Sequence, residues 1–525
     1  MSLTERFYNH LSIFDVSLAL LGLFLVCCLR EKLTNKHGPM LWPVFGITPE
    51  FFFHINDVYG WVTKSLKNGR GTFLHRGIWL DGSYGAVTCV PANVEYMLKT
   101  NFKNFPKGSF YKHRFSDLLE DGIFNTDDAS WKEQRRIILT EMHSTKFMEH
   151  SFQTIHHLVK KKLLKVMESF ARSQKAFDLQ DVLLRLTFDI ICTAGLGDDP
   201  ETLAADLPKV PFAKAFEEAT ESTLFRFMIP PFIWRTMKFL DIGYERSLRK
   251  AIEVVHGFVN KMIVDRISKI KEEETLDNRF DVLTRIVQIE SQRKGNEIDP
   301  STIRFFRQFC TSFILAGRDT SSVAVSWFFW VIQKHPQVEN KIISEIKEIL
   351  RQRGDTPTCK NESLFTVREL NNMVYLQAAL SETLRLYPPI PMEMKQAVED
   401  DVFPDGTFIR KGSRIYFSIY AMGRMESVWG KDCEMFRPER WINQAGQFVN
   451  IEQFKFVVFN AGPRLCIGKT FAFLQMKMIA ASLLWRYSIK VVQDHVVVPR
   501  FTTNFYMKYG LKVNIKPRSL EEKKI

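Results

Sequence analysis

One cysteine, Cys466, stands in the run Phe459-Asn460-Ala461-Gly462-Pro463-Arg464-Leu465-Cys466-Ile467-Gly468. A strand-like stretch, Lys455–Phe459, leads into it, and an apolar, glycine-free run from Lys469 to Leu484 leads out. Cys466 therefore belongs to a glycine-punctuated loop just ahead of a predicted helix, where backbone N–H groups and the helix dipole favour a thiolate. Gly462 and Gly468 carry no Cβ and let a flat group lie against the backbone. A lone thiolate without a nearby His or Cys suits an axial ligand to haem iron better than a zinc site. Taken alone, Cys466 also reads as a buried free cysteine. A phosphate loop ending at Lys469-Thr470 is excluded, because the glycines stand one residue too far apart for the lysine to meet the phosphates.

Three further clusters have chemical types at meaningful spacing. Ala316-Gly317-Arg318-Asp319-Thr320-Ser321 sits in the middle of the longest helical pattern, Asp299 to Lys334. Asp299 suits the N-cap and Pro300 the first helical position. Gly317 costs a helix about 1 kcal/mol relative to Ala and so implies a steric purpose, while the Thr320 hydroxyl can bond back to a carbonyl one turn earlier. Trp131 and Arg135 are four apart, on one face of a helix that starts after Asn125–Ser130, and both are good donors to a carboxylate. Glu382 and Arg385 share a helix face within an apolar stretch, so their ion pair is expected to be at least partly buried; Arg440 follows in Phe436-Arg437-Pro438-Glu439-Arg440-Trp441. Each cluster has an ordinary alternative: a surface stack, a solvent-facing acid, a surface ion pair.

Together they have one common explanation. The pattern Phe459-x-x-Gly462-x-Arg464-x-Cys466-x-Gly468 resembles the haem-binding loop of the cytochrome P450 monooxygenases, and the other clusters resemble that family's motifs in the family's order. The resemblance covers nearly the whole chain. The stretches Asp117–Asn125, Ala194–Thr202, Pro404–Thr407 and Met507–Leu511 are similar to the plant fatty-acid ω-hydroxylase branch. It implies haem b with Cys466 as axial ligand, and a helix-rich single domain with small β-sheets. It implies that Trp131, Arg135, Arg464 and Lys395 hold the propionates, and that Asp319 and Thr320 deliver protons. Glu382, Arg385 and Arg440 become the network that fixes the cysteine loop. Phe313, Ala316, Ile390, Met392 and Phe505 become part of the substrate pocket. The implied partners are dioxygen, NADPH-cytochrome P450 reductase and a hydrophobic substrate, above all a fatty acid oxidised at its terminus. Alternatives are another hydrophobic plant metabolite (a terpenoid, a sterol, an in-chain position of a fatty acid) and, within the haem-thiolate enzymes, an isomerase or dehydratase.

The rest of the chain must position these groups. Its 525 residues are 45% hydrophobic, enough for a large core. Eight cysteines without C-x-x-C spacing imply neither a disulfide framework nor structural zinc. The net charge of +13 comes from scattered basic residues without a nucleic-acid signature, which points to an acidic protein partner or anionic lipid. Leu11–Leu29 is apolar and about as long as the ~20 residues that cross a bilayer. Arg30, Lys32 and Lys36 follow it, which places the body in the cytosol; the resemblance implies the endoplasmic reticulum as the membrane. The expected organisation is an anchor over 1–32, a Pro/Gly-rich hinge over 33–46 and a catalytic domain over 47–525. Short strands are expected near Gly71–Leu80, Ala86–Val90, Ser413–Ser418 and the C-terminal end, and an apolar, Pro-broken access loop over 228–234.

Overall fold

The computed structural model describes residues 13–34, 38–78, 84–272, 280–294, 299–353 and 364–518. The start of the expected anchor, hinge residues 35–37, strand residues 79–80 and Cys359 lie outside them. Helix α1 (Ile13–Thr34) turns its apolar side chains outward, with Phe14, Leu18, Leu20 and Leu21 all exposed. Among the described residues, only this helix is long and apolar enough to cross a membrane, over Ile13–Leu33. It runs past the expected end at Leu29 because Arg30, Glu31 and Lys32 are good helix formers.

The body is helix-rich. Strand β1 (Thr72–Arg76) pairs antiparallel with β2 (Tyr84–Thr88). Strand β3 (Met392–Gln396) pairs antiparallel with β4 (Arg414–Ser418), and β2 and β4 join in parallel, giving the order β1-β2-β4-β3. The register sets Met392 opposite Ser418 at one end of the β3–β4 ladder and Gln396 opposite Arg414 at the other. One buried apolar cluster packs against this sheet; a larger one fills the space between the helices.

The helices that reach the site are α2 (Gly108–Leu119), α3 (Asp128–Met142), α4 (Leu179–Ile191) and α5 (Pro211–Met228), which α6 (Pro231–Phe239) follows. Ile229 and Pro230 separate α5 from α6, so the access loop expected over 228–234 shortens to this break, which lines the cavity, and the rest is the start of α6, with Phe232 and Phe239 exposed on it. The long helical pattern is also divided. Helix α7 (Pro300–Ile314) is capped by the Asp299 carboxylate, which accepts from the Thr302 N–H at 2.7 Å. One turn of π-helix follows over Leu315–Asp319, and α8 (Thr320–Ile332) resumes the regular winding. The wide turn has its carbonyls satisfied by hydroxyls: Thr320 Oγ1 donates to Ala316 O at 2.6 Å, and Thr187 Oγ1 of α4 donates to Arg318 O at 2.7 Å. Hydroxyl back-bonding was legible in the sequence; the π turn it supports was not.

Helix α9 (Val374–Leu386) carries Glu382, and α10 (Lys469–Arg486) follows the cysteine loop. The expected strand into that loop is a 3₁₀ turn over Val457–Phe459, after which Asn460 turns the chain at φ 59°. No partner strand meets this segment in the sheet order, so its β-branched residues serve packing.

Candidate active site

A cavity of about 600 Å³ lies between the cysteine loop, the π turn, α5 and the β3–β4 sheet. Cys466, Phe313, Ala316, Thr320, Ile390 and Met392 all line it. Phe505 does not. Its ring is packed between Tyr59, Trp327 and Tyr420, and its neighbours Thr502, Thr503 and Asn504 reach the cavity instead. The bends over residues 501–504 turn these neighbours toward the cavity and leave the Phe505 ring in the aromatic cluster.

The surface that Cys466 exposes belongs to the cavity wall; protein surrounds it otherwise. Burial is the largest influence on the thiol and pushes its pKa up, against the Gly468 N–H and the charges of Arg135 and Lys469, which pull it down. The thiolate bias expected of the loop is therefore present but outweighed, and only a bound cation reverses the balance. The two glycines divide their work. A Cβ on Gly462, at φ 58°, would stand 2.2 Å from Leu98 O, so this glycine lets the loop pack on the chain and not on a ligand. A Cβ on Gly468 would meet nothing nearer than Met142 Cε at 3.9 Å. Phe459 lines the cavity and stacks against Phe473 beneath.

Cationic groups surround the sulfur. Arg135 donates to Leu465 O at 2.6 Å, and the Arg464 guanidinium lies 4.3 Å from the Trp131 ring centroid. Arg464 is also paired with Asp127, a residue the sequence reading placed only at a helix start. Asp127 accepts from the N–H groups of Lys107 and Gly108 as well, tying the entry of α2 to the cysteine loop. Lys395 is fully buried and does not itself line the cavity, although Glu393 and Met394 beside it do. Burial lowers its pKa to about 7, opposed by the Glu393 carboxylate. Lys395 Nζ and Arg464 Nε are buried donors with no acceptor among the described residues. Orphaned cationic donors are rare without a reason; a flat group carrying iron and two carboxylates supplies one. Among the described residues no three His, Cys, Asp or Glu side chains converge as a metal site, so the single thiol is the ligand on offer. Cys466, Trp131, Arg135, Arg464 and Lys395 fit haem.

Asp319 and Thr320 face different ways. Thr320 lines the cavity, whereas Asp319 is buried behind it, accepting from Arg318 Nη1 at 2.9 Å and Asn504 Nδ2 at 3.2 Å. Burial pushes its carboxyl up to about 6 despite the Arg318 charge. Asn504, which touches both Asp319 and the cavity, lies 185 residues away from that aspartate and had no signal in the sequence. Gly317 also lines the cavity, but the space its missing Cβ frees belongs to Ile191 of α4, whose Cγ1 is 2.4 Å from the ideal Cβ position. Gly317→Ala should therefore destabilise the protein by about 1–3 kcal/mol through overpacking. A denaturation midpoint equal to the parent's would show that α4 yields freely.

The structure brings Glu382, Arg385 and Arg440 together. Arg385 Nε and Nη2 both donate to the Glu382 carboxylate at 2.8 Å, and Arg440 Nε does so at 2.9 Å. Trp441 Nε1 and the Arg437 N–H complete the set, each at 2.9 Å. Arg385 also donates to the carbonyls of Gly423, Cys433 and Met435. The carboxylate thus ties α9 to the segment that leads to the cysteine loop.

Comparison with known proteins agrees with this geometry. The family description Cytochrome P450 matches residues 37–519. Cytochrome P450 86B1 of Arabidopsis thaliana is 45% identical over 518 residues, covering 98% of this chain and 91% of that protein. Noroxomaritidine synthase 2 of Narcissus aff. pseudonarcissus MK-2014 is 34% identical over 517 residues, 98% of each chain. Alkane hydroxylase MAH1 of Arabidopsis thaliana is 35% identical over 498 residues, 94% of this chain and 97% of that protein.

Proposed function

Because the chain belongs to the cytochrome P450 family, and so is a haem-thiolate monooxygenase that uses dioxygen and a redox partner on a hydrophobic substrate, we propose that it hydroxylates fatty acids at the terminal carbon. The observation that carries this reading is an apolar cavity ending at Cys466, lined by Phe313, Ile390 and Met392. The similarity to an alkane hydroxylase supports an aliphatic substrate. Helix α1 anchors the protein in the endoplasmic reticulum membrane with the body in the cytosol, where NADPH-cytochrome P450 reductase supplies electrons. Exposed Lys132 and the basic Lys469 beside the loop suit an acidic flavoprotein surface.

Bound there, haem supplies the activation of dioxygen and the transfer of one oxygen atom to a C–H bond, its thiolate ligand favouring O–O cleavage. The protein's part is placement and proton supply. Terminal attack meets the strongest C–H bond of the chain, so only geometry can enforce it. Phe313 stands on α7 just ahead of the π turn, Ile390 just after Pro389, and both present bulk to the cavity that Cys466 also lines. Trimming either to Ala should move hydroxylation inward along the chain while total turnover falls less. Loss of activity with no change of product position would remove the gate.

Thr320 Oγ1 donates its one proton to Ala316 O, which fixes the oxygen at the cavity wall and leaves its lone pairs to accept a hydrogen bond from that side. Asp319, with its carboxyl near 6, exchanges protons close to neutral pH, and Asn504 links it to the cavity. Thr320→Ala should keep haem and substrate but send most reducing equivalents into hydrogen peroxide. Unchanged coupling of NADPH consumption to product would sink the role.

The function itself is tested by incubating the protein, its reductase and NADPH with a panel of free fatty acids and identifying products by mass spectrometry. A second reading, oxidation of a different plant metabolite, draws on the similarity to noroxomaritidine synthase 2. It expects every member of the panel to go unchanged.

A further inference from the structure

The helix Val58–Asn68 turns different faces to two cavities. Val58, Tyr59 and Val62 line the one that Cys466 also lines. Lys64 and Lys67 line a second, of about 400 Å³, together with Tyr387, Tyr420, Arg424 and Glu434. The two cavities share no lining residue.

The charges of the second cavity do not balance. Lys64, Lys67 and Arg424 are cations, and the one carboxylate, Glu434, is already held by Lys67 Nζ at 2.6 Å. Lys64 is exposed and has no ion pair or hydrogen bond among the described residues. Arg424 is half-buried. Its guanidinium carbon lies 3.6 Å from the Tyr420 ring centroid and 5.4 Å from that of Tyr387, and Nη1 donates to Tyr420 O at 3.2 Å. Among the described residues no carboxylate comes within ion-pair distance of it; Glu434 acts on it only from farther off. Burial is the largest influence on this guanidinium and works against its charge, and the like charge of Arg385 adds to that. Rings take the faces of a guanidinium and an oxyanion its edge, so the stacking is compatible with a bound anion.

We propose that this second cavity binds a phosphate group, either inorganic phosphate or the monoester headgroup of an anionic lipid. A phosphate monoester carries a charge of about −1.5 to −2 at neutral pH, which matches the two positive charges left unbalanced. Its oxygens accept, as a guanidinium edge and two ammonium groups require. The site is independent of the fatty-acid reading. Arg385 donates to the carbonyls of Gly423 and Cys433, the residues just before Arg424 and Glu434. A phosphate bound here therefore bears on the segment that the Glu382–Arg385 pair holds.

The test places the full-length holoenzyme in phosphatidylcholine nanodiscs and follows amide hydrogen exchange over residues 60–67 and 420–434. Inorganic phosphate is added in one arm, against chloride at equal ionic strength, and phosphatidic acid is included in the disc in the other. Both segments of the parent should become protected. Protection by inorganic phosphate assigns a soluble ligand, and protection by phosphatidic acid alone assigns a lipid headgroup. Arg424→Gln should weaken the protecting interaction roughly 10- to 100-fold, the loss of a charge-assisted contact. Lys64→Gln, at an exposed side chain, should weaken it about 2- to 5-fold and leave the fold alone. The thiolate-type carbon-monoxide spectrum reports whether each variant is folded and loaded, and Lys64→Gln carries the test by itself if Arg424→Gln loses that spectrum. Protection by neither probe, or protection that the folded variants keep at parent strength, overturns the site.

Discussion

Glu382→Ala is expected to destabilise the protein by about 3–5 kcal/mol, the range for removing one partner of a buried ion pair. Arg385 is the reason. Its guanidinium has no exposed side-chain surface, and Glu382, at 2.8 Å, is its only anionic partner among the described residues; the other contacts are carbonyls. Without the carboxylate, a full positive charge stays in the core, while Trp441 Nε1, Arg440 Nε and the Arg437 N–H each lose an acceptor. Because those groups belong to the segment leading into the cysteine loop, the loss should also reduce the fraction of expressed protein carrying haem. Denaturant titration of the purified variant and its haem-to-protein ratio measure both. A parent-like midpoint would mean that the carboxylate holds little together.

Cys466→Ser is expected to abolish turnover and to remove the thiolate-specific red shift of the ferrous carbon-monoxide spectrum. A serine hydroxyl at that position is about the same size but stays neutral, and it lacks the electron-donating sulfur. The fold should tolerate the change, because the side chain faces the cavity and the loop is held through the backbone, by Cys466 N to Phe459 O at 2.8 Å and by Arg135 to Leu465 O. A variant that retained the parent spectrum would assign the ligand elsewhere.

What could be read from the sequence was whatever depended on local order. Cys466, Gly468 and Lys469 are consecutive or nearly so, and the Asp299–Pro300 cap and the Glu382–Arg385 spacing act within one helix. The misses all required the chain to meet itself over long distances. Asp127 pairs with Arg464, and Asn504 with Asp319, across separations for which residue type carries no signal. Gly317 looked like a helix anomaly and proved to be a seat for Ile191. Asp319 and Thr320 are neighbours in the sequence, yet in a helix adjacent residues face about 100° apart, and the widened turn sends the carboxylate toward Arg318. Phe505 is taken up by Tyr59, Trp327 and Tyr420, contacts across the chain that residue type alone does not signal.

The most direct test of the account is the position of the hydroxyl on a saturated long-chain acid. Parent enzyme, reductase and NADPH are incubated with hexadecanoic acid under dioxygen, and the product is fragmented to locate the new oxygen. The account predicts that the terminal carbon dominates, and that product formation requires NADPH. Oxygen distributed over inner methylenes, or no oxidised acid at all, would contradict it.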